Sequence, residues 1–391
     1  MQNVVLPKLK LLGINRCILY NTLMERPIFK NVRVTVIDGA GCGEAVNKRE
    51  QNPEDVGANS LLHASQRKPY DALALASIGI QRVPGLEGLQ MVQPSDIEVK
   101  GAFGAAIPRY AGKGSPEGHQ ALMGCNTTEE FMFFDKTGFP PEVVKLVEET
   151  IKEVMKRDVQ IVRNPETDDI NGVKFINTPG IGDLHFHSGQ AEDGPLMIPI
   201  YASSESLIQI PLHQGVVPQA KIEEIGKAVR KAVDEAGYKI GRIVMRPFVG
   251  GPSAGQFERI SKDRRDYGVD PEGSTLIDHL KELGIPVYGV GKALSMLNYH
   301  GVNRDNVQKL DTDEQRLRAI VDDFARHDPT QTSHTNHTSE NVPVLVYSPR
   351  IKGAIDLGAR DTFADIAATV ADNFGIADKI KDGKSFLGEL V

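Results

Sequence analysis

One stretch near the C-terminal end decides the fold: His327-Asp-Pro-Thr-Gln-Thr-Ser-His334-Thr-Asn-His337-Thr-Ser-Glu340-Asn-Val-Pro-Val-Leu-Val-Tyr-Ser348. Its short apolar run at 342–347 predicts a buried strand. Three histidines come before this strand, and loops at the ends of buried strands are where α/β enzymes place metal ligands and catalytic groups. A polar surface loop before a strand is the alternative interpretation, and this stretch alone does not separate the two.

The composition indicates an ordinary globular protein of one large or two moderate domains. The chain has 391 residues, of which 40% are hydrophobic and 25% are charged. Its formal net charge of -7 argues against a general nucleic-acid binder, and no window is apolar enough to span a bilayer. Cys17, Cys42 and Cys125 have neither disulfide nor zinc spacing, so a protein of the reducing cytosol is expected, with a cytoplasmic location. The oligomeric state is left open.

Strand and helix patterns alternate in both end regions of the chain. Residues 32–37, Val-Arg-Val-Thr-Val-Ile, predict a first buried strand that stops at Asp38, and the glycines after it require a turn. Further patterns predict helices at 52–65, 70–79, 274–283, 311–326 and 362–374, and strands at 286–290 and 342–347. This alternation predicts an α/β fold whose mostly parallel sheet is covered by helices on both faces.

A different pattern occupies the middle of the chain. Residues 140–157 predict a strongly amphipathic helix that begins at two prolines, and a second helix is predicted at 219–236. Short strands are predicted near 159–163, 172–176, 197–201, 206–210 and 240–246. We therefore expect an inserted α+β cap domain at 131–273, between core segments at 31–130 and 274–391. Residues 1–30 are expected to form an N-terminal extension outside the fold.

Residues 107–123 predict a loop rich in glycine and proline that carries a candidate nucleophile. Its centre reads Gly112-Lys-Gly-Ser115-Pro-Glu-Gly118-His119. Glycines at this spacing leave room for a phosphate close to backbone N–H groups. The Ser115 hydroxyl attacks phosphorus well only if a metal or a base lowers the cost of losing its proton. A simple turn residue is the alternative role for Ser115.

The order of these motifs resembles that of the phosphopentomutases, a branch of the alkaline phosphatase superfamily. Asp38, followed by Gly41-Cys-Gly-Glu-Ala, resembles the segment that holds the family's first metal ligand. Residues 112–119 resemble its Gly-Lys-Asp-Thr-x-Thr-Gly-His, with Gly114, Ser115 and Glu117 at the positions of Asp, the phosphorylated threonine and the second threonine. His337-Thr-Ser-Glu resembles its His-Thr-Arg-Glu, with serine in place of arginine.

This resemblance implies an alkaline-phosphatase-like core and a phosphopentomutase activity. The family moves phosphate between C1 and C5 of ribose or deoxyribose through a phosphoenzyme, with two Mn²⁺ ions and a ribose or glucose bisphosphate as primer. By resemblance, Ser115 would carry the phosphate, and Asp38, His337 and Ser115 would be metal ligands. The pentose phosphate substrate would be held by residues in matching segments, namely Ser203, Glu205, Arg246, Arg265 and Lys292.

The resemblance breaks between residues 300 and 340. The family carries an Asp with a His five residues later, and then an Asp-His-Gly triplet, but no Asp-His-Gly occurs here. Asp322 and His327 have the five-residue spacing, although the last turn of a charged helix is an ordinary place for such a pair. His327, Asp328 and His334 are candidate substitute ligands. Two alternatives stay open: a degenerate, non-catalytic homologue that binds a sugar phosphate, and a phosphatase or another mutase of the superfamily.

Overall fold

The computed structural model describes residues 26–37, 39–94, 96–134, 138–163, 181–202, 206–251, 256–287, 289–290, 293–302, 307–308 and 338–391. Helices and strands mix throughout these ranges, and parallel strand pairs occur in several sheets, so the predicted α/β class is confirmed. The helix predicted at 311–326 and the strand predicted at 172–176 lie outside the described residues. No helix within these ranges is long and apolar enough to cross a membrane.

The described α-helices are α1 (Ser60–Arg67), α2 (Leu73–Ile78), α3 (Ser115–Leu122), α4 (Pro141–Met155), α5 (Ile181–Gln190), α6 (Gln219–Glu235), α7 (Leu276–Glu282), α8 (Ala364–Asn373) and α9 (Leu387–Leu390). The described strands are β1 (Gly101–Ala106), β2 (Val159–Arg163), β3 (Leu196–Ile200), β4 (Leu207–His213), β5 (Arg242–Gly250), β6 (Phe257–Arg259), β7 (Arg265–Gly268), β8 (Gly289–Val290), β9 (Val307–Gln308), β10 (Val342–Val346) and β11 (Ala354–Arg360). The long predicted helices α4, α6, α7 and α8 and the strands β2 to β5 are confirmed within a few residues.

Among the described residues, a three-stranded sheet with the order β10-β1-β11 lies between two apolar clusters. Strand β1 pairs antiparallel with β10 and parallel with β11, and all six of its residues are buried. Because successive strand residues point to opposite faces, Phe103 and Ala105 enter one apolar cluster while Ala102 and Ala106 enter another. The small residues of β1 let both clusters pack close to the sheet.

A second sheet is built from β4, β5, β6 and β7. Strands β4 and β5 are parallel, whereas β6 and β7 pair antiparallel with β5. One face packs against α4 and α6 through an apolar cluster that includes Ile210, Ile243 and Met245. By the strand period of two, Gln209 and Arg246 lie on the other face. The boundaries of core and cap at 131 and 273 stay a prediction.

The strand predicted at 32–37 is wrong, since residues 31–37 have no regular secondary structure. Val32, Val34 and Val36 are 41%, 41% and 42% exposed. A strand is stable only when its N–H and C=O groups pair with a neighbour, and none of the described strands runs beside this segment. The alternating valines have a high propensity for strand structure, but no described strand pairs with them.

Four other expectations need correction. Residues 115–122 form α3 rather than a loop, because Pro116 fits the first turn of a helix, where no intrahelical donor is needed. Of the strand predicted at 286–290, the described part contains only the two residues of β8, which pair with β9. Strand β10 ends at Val346 and buries only Val344, because it is an edge of its described sheet. Residues 26–30 contact the fold, since the N–H of Phe29 donates to Asn373 at 2.7 Å.

Candidate active site

The segments that follow Asp38 and His337 lie side by side. The N–H of Cys42 donates to the carbonyl of Asn341 at 2.8 Å, and the N–H of Asn341 donates to the carbonyl of Gly43 at 2.8 Å. This antiparallel pairing joins stretches that are 299 residues apart in sequence. Asp38 and His337 themselves lie outside the described residues, but the chain that continues from each of them is fixed at one place.

Glu340 holds these two segments against the start of helix α1. Its carboxylate accepts hydrogen bonds from the N–H of Ser60 at 2.8 Å, from the Ser60 hydroxyl at 2.6 Å and from the Thr338 hydroxyl at 2.6 Å. Glu340 is only 6% exposed, and its charge is favoured there by these hydrogen bonds and by the positive end of the helix. The carboxylate lies directly against Gly41, where a Cβ atom would be 2.2 Å from Oε2.

The loop that precedes Ser115 is tied to the same place by ion pairs. Asp55 is buried, and it accepts a hydrogen bond from the N–H of Ser339 at 2.7 Å. Nζ of Lys113 lies 3.4 Å from the same Asp55 oxygen and 2.8 Å from Glu54. The three segments in which the sequence predicts metal and phosphate chemistry therefore meet in one network of hydrogen bonds and ion pairs.

Ser115 is the first residue of α3, and Gly114 is its N-cap. The first N–H groups of a helix have no acceptor within the helix, and the helix dipole makes this end positive. A phosphate on the Ser115 hydroxyl would therefore lie at a favourable end of α3. One turn later, Nδ1 of His119 donates to the carbonyl of Ser115 at 2.8 Å, which fixes the imidazole against the first turn.

The metal-ligand candidates are only partly covered by the described residues. Asp38, His337, His327, Asp328 and His334 lie outside them. Within the described ranges, no group of three His, Cys, Asp or Glu side chains could hold an ion. A carboxylate and a hydroxyl suit Mn²⁺, so the donor types of the predicted set fit the ion, while the described part alone does not complete a site.

Cys42, beside these segments, is held as a neutral thiol. Burial raises the pKa of its thiol, and the negative charges of Glu340 and Glu87 raise the pKa further. Metals bind the thiolate rather than the thiol. The thiol instead donates to the carbonyl of Asn341 at 3.3 Å, so it contributes to the pairing of the two segments.

A cluster of arginines occupies the polar face of the second sheet, and we name this surface the arginine face after Arg246, Arg259 and Arg264. Burial is the main cause that lowers the pKa of Arg246 to about 10, and the positive charges of Arg264 and Arg259 contribute to this shift. Arg259 donates to the Tyr201 hydroxyl at 2.7 Å, and Arg264 holds Asp266 through two hydrogen bonds of 2.6 Å. Neighbouring guanidinium groups of this kind suit a phosphate.

Arg265 lies on the opposite face of this sheet from Arg246. Strand β7 pairs with β5 so that Arg265 is opposite Met245, which belongs to the apolar face. Nε of Arg265 forms an ion pair of 2.9 Å with Glu223 of α6. The structure therefore does not bring Arg265 to Arg246, and Arg264 takes that place. The strand period of two is the sequence signal that separates these two neighbouring arginines.

Sequence reasoning did not select Arg259, Arg264 or Gln209 as site residues. Gln209 pairs beside Val244 in the second sheet and is 1% exposed. Neither of its amide atoms has a hydrogen-bond partner among the described residues. An unsatisfied buried polar group costs about 1–3 kcal/mol, which hydrogen bonds from a ligand would offset. The predicted ligands Ser203, Glu205 and Lys292 lie outside the described residues.

The start of α3 contacts the start of β5. A Cβ atom on Gly241 would be 3.2 Å from Cγ of Pro116, so the absence of a side chain there permits the contact. The N–H of Gly241 donates to the Ser206 hydroxyl at 3.0 Å, and the N–H of Arg242 donates to the Ser206 carbonyl at 3.1 Å. The strand that carries Arg246 thus begins beside the helix that carries Ser115.

Comparisons with known proteins identify the relatives of this chain. A family model described as the Metalloenzyme superfamily matches residues 307–378. A phosphopentomutase of Levilactobacillus brevis is 31% identical over 421 aligned positions, which cover 93% of this chain and 99% of that protein. A phosphopentomutase of Kosmotoga olearia is 28% identical over 413 positions, which cover 92% of this chain and 99% of that protein.

Both alignments are longer than the 391 residues of this chain, so each relative contains positions that have no counterpart here. The 31% identity to the Levilactobacillus brevis protein, over most of this chain and nearly all of that protein, is sufficient to identify the family. This identification does not depend on any single site residue. The chain belongs to the phosphopentomutase family, a group of metal-dependent isomerases.

Proposed function

We propose that this chain transfers phosphate between C1 and C5 of ribose or deoxyribose through a phosphoenzyme at Ser115. The observation that carries the proposal is the meeting of three segments: residues 41–45, residues 338–341 and the loop 112–114 are joined through Asp55 and Glu340. The position of Ser115 at the positive end of α3 supports its role as the phosphate carrier. Family membership supplies the class of reaction.

In the first proposed step, the Ser115 hydroxyl attacks a phosphorus atom of a ribose or glucose bisphosphate primer. The bond between that phosphorus and the sugar oxygen breaks, and the sugar leaves as a monophosphate whose released oxygen takes up a proton. Asp38, His337 and Ser115 would be ligands of the two Mn²⁺ ions expected of the family, and these ions, when bound, supply Lewis acidity that makes loss of the hydroxyl proton less costly. The first N–H groups of α3 would bind the phosphate oxygens, and the helix dipole would favour their negative charge.

In the second step, the phosphoenzyme donates its phosphate to the free hydroxyl of a pentose monophosphate, which yields a pentose bisphosphate. Ser115 then takes back the phosphate from the other end of the sugar, and the isomerised monophosphate leaves. Arg246, Arg259 and Arg264 would hold the phosphate that is not being transferred. Arg246 suits this role at neutral pH, since a guanidinium with a pKa of about 10 stays protonated. Gln209 would bind a sugar hydroxyl.

The remaining roles are proposed from the family's motifs. Ser203 and Glu205 would bind sugar hydroxyls, and Lys292 would bind a phosphate. His327, Asp328 and His334 are the proposed substitutes for the absent Asp-His-Gly ligands. The cap at 131–273 would close on the core to exclude water, which favours transfer to the sugar over hydrolysis. Contact between the starts of α3 and β5 supports an active site between core and cap.

The test is phosphorylation of Ser115 followed by turnover. Purified protein is incubated with Mn²⁺ and a bisphosphate primer, and mass spectrometry then locates the phosphoryl group; conversion of ribose 1-phosphate to the 5-phosphate is measured in parallel. Ser115→Ala should abolish both signals, whereas the control Ser77→Ala, on α2, should retain both. Phosphate on a different residue, or turnover by Ser115→Ala, would contradict the proposal.

One observation favours a second candidate, a non-catalytic protein that binds a sugar phosphate. The sequence has no Asp-His-Gly between residues 300 and 340, and a two-metal site needs several carboxylate and imidazole ligands. Such a protein would bind ribose 5-phosphate in calorimetry through Arg246, with no dependence on Mn²⁺ and no turnover. Release of inorganic phosphate in the turnover assay would instead indicate a phosphatase.

A further inference from the structure

Glu117 is a buried acid on the helix that begins at Ser115. It is the third residue of α3 and is 0% exposed. Its carboxylate folds back over the loop that precedes the helix. A Cβ atom on Gly114 would be 2.4 Å from Oε2 of Glu117, and a Cβ atom on Gly112 would be 2.9 Å from Oε1. The side chain of Glu117 therefore occupies the space that a side chain at position 114 would need.

Lys48 is a buried cation near Glu117, and the opposite charges of the two side chains stabilise each other. Burial lowers the pKa of Lys48, and the negative charges of Glu130 and Glu117 oppose that shift. Lys48 donates from Nζ to the carbonyl of Tyr110, which places its ammonium group near the chain that enters the loop 112–114. A buried carboxylate is costly unless it is paired and hydrogen-bonded, and the neighbouring ammonium reduces that cost.

The place of this carboxylate explains two departures from the family's pattern together. The pattern Gly-Lys-Asp-Thr-x-Thr-Gly-His has an acid immediately before the nucleophile and a threonine two positions after it. This chain has Gly114 and Glu117 instead. Aspartate at position 114 and the present Glu117 could not both keep their places, because the Cβ of the first would be 2.4 Å from the carboxylate of the second.

We propose that Glu117 is a positioning residue for Ser115. From the first turn of α3, it supplies the carboxylate beside the nucleophile's loop that an acid at position 114 would otherwise supply. The inference rests on the proposed phosphoenzyme at Ser115. Glu117 acts through the loop: Gly112 has a φ of 75°, a conformation that glycine adopts freely, and the carboxylate packed against Gly112 and Gly114 restricts that freedom.

Loss of this restriction should affect phosphoryl transfer more than binding of the primer. The serine oxygen must stay in line with the phosphorus, and a displacement of about 1 Å costs about 100-fold in rate. Glu117→Thr should therefore slow phosphorylation of Ser115 by about 100-fold at saturating primer. Gly114→Asp alone should be slow as well, because the new side chain displaces the carboxylate of Glu117.

The decisive variant is the double exchange, Gly114→Asp/Glu117→Thr, which moves the carboxylate back to position 114. We expect it to phosphorylate Ser115 within about tenfold of the unchanged protein, since the effects of residues in contact do not add. The rate is measured by mass spectrometry with Mn²⁺ and a bisphosphate primer, together with the melting temperature of each variant. Glu142→Thr is the matched control, because Glu142 is an exposed acid in the first turn of α4.

Single variants that match the unchanged protein, or a double variant as slow as the slower single variant, would overturn the inference. A double variant that regains the melting temperature but not the rate would also overturn it, because Glu117 would then serve packing alone. If Ser115 of the unchanged protein takes up no phosphate, this inference and the proposed function both fall. If both single variants phosphorylate Ser115 slowly and the double variant recovers the rate, but no pentose phosphate is isomerised, the inference on Glu117 stands and only the proposed pentose reaction falls.

Discussion

Replacement of Gly41 by alanine tests the contact that holds the candidate site together. A Cβ atom on Gly41 would be 2.2 Å from Oε2 and 2.3 Å from Cδ of Glu340, closer than real Cβ contacts. The backbone at Gly41 is restrained, because its carbonyl accepts a hydrogen bond from the N–H of Leu61 at 3.0 Å and the next residue belongs to the antiparallel pairing. The carboxylate of Glu340 must therefore move.

This displacement breaks the hydrogen bonds that Glu340 accepts from the N–H and hydroxyl of Ser60 and from the hydroxyl of Thr338. Hydrogen bonds to charged groups contribute about 1.5–3 kcal/mol each, but a displaced carboxylate regains part of that from water. Removal of the partners of a buried charge costs about 3–5 kcal/mol. We therefore expect Gly41→Ala to lower the free energy of unfolding by about 3–5 kcal/mol.

Urea unfolding followed by circular dichroism measures this change. The control is Gly388→Ala in α9, where no heavy atom lies within 4 Å of an added Cβ and where alanine should stabilise the helix by about 0.5–1 kcal/mol. The variant Gly41→Ala/Glu340→Ala should be no less stable than Glu340→Ala, because the carboxylate that causes the clash is absent. A loss below about 1 kcal/mol for Gly41→Ala would refute the reasoning.

Three further predictions concern a buried histidine, the arginine face and a helix cap. Burial lowers the pKa of His185 from 6.5 to about 4, so the unfolded state binds a proton below pH 6.5 before the folded state does. The free energy of unfolding, measured in urea, should therefore be full above pH 6.5 and fall by about 3 kcal/mol toward pH 4. His185→Gln should not show this loss. Arg246→Gln should raise KM for ribose 5-phosphate by about tenfold or more, whereas Arg265→Gln should change it less than about twofold. Thr275→Ala should lower the free energy of unfolding by about 1 kcal/mol, because it removes the capping box of α7.

The long helices could be predicted because packing on a sheet leaves a period in the sequence. Val143, Val147 and Ile151 of α4 follow the spacing of one helical face, and each is 0% exposed. The pairing partner of a strand cannot be identified from the residues of that strand alone. Residues 32–37 alternate like a strand, but a strand also needs a neighbour, and its identity depends on distant residues. The same limit applies to the contact between Gly41 and Glu340, which are far apart in sequence.

The candidate site was predictable to a similar degree. Motif order indicated that the segments after Asp38 and His337 belong to one site, and their neighbouring residues do pair. The choice of Arg265 rested on a motif match, whereas the strand period would have favoured Arg264. The role of Glu117 could not be read from the sequence, because a glutamate in place of threonine gives no indication that its carboxylate returns to the position before Ser115.

Glu117 also bears on the choice between the two candidate functions. The pairing of residues 41–45 with 338–341 does not separate them, since it depends on backbone groups and on Glu340, which hold with or without a metal. A protein that only binds a sugar phosphate needs the arginine face but no positioned hydroxyl. The carboxylate of Glu117 packs against Gly112 and Gly114 and so restrains the loop that precedes Ser115. This restraint is explained if Ser115 reacts. A mutase requires that the unchanged protein phosphorylates Ser115 and that Glu117→Thr does so about 100-fold more slowly, whereas a protein that only binds a sugar phosphate takes up no phosphate in either form. The rate of Ser115 phosphorylation in the unchanged protein is therefore the measurement on which the two candidates differ most.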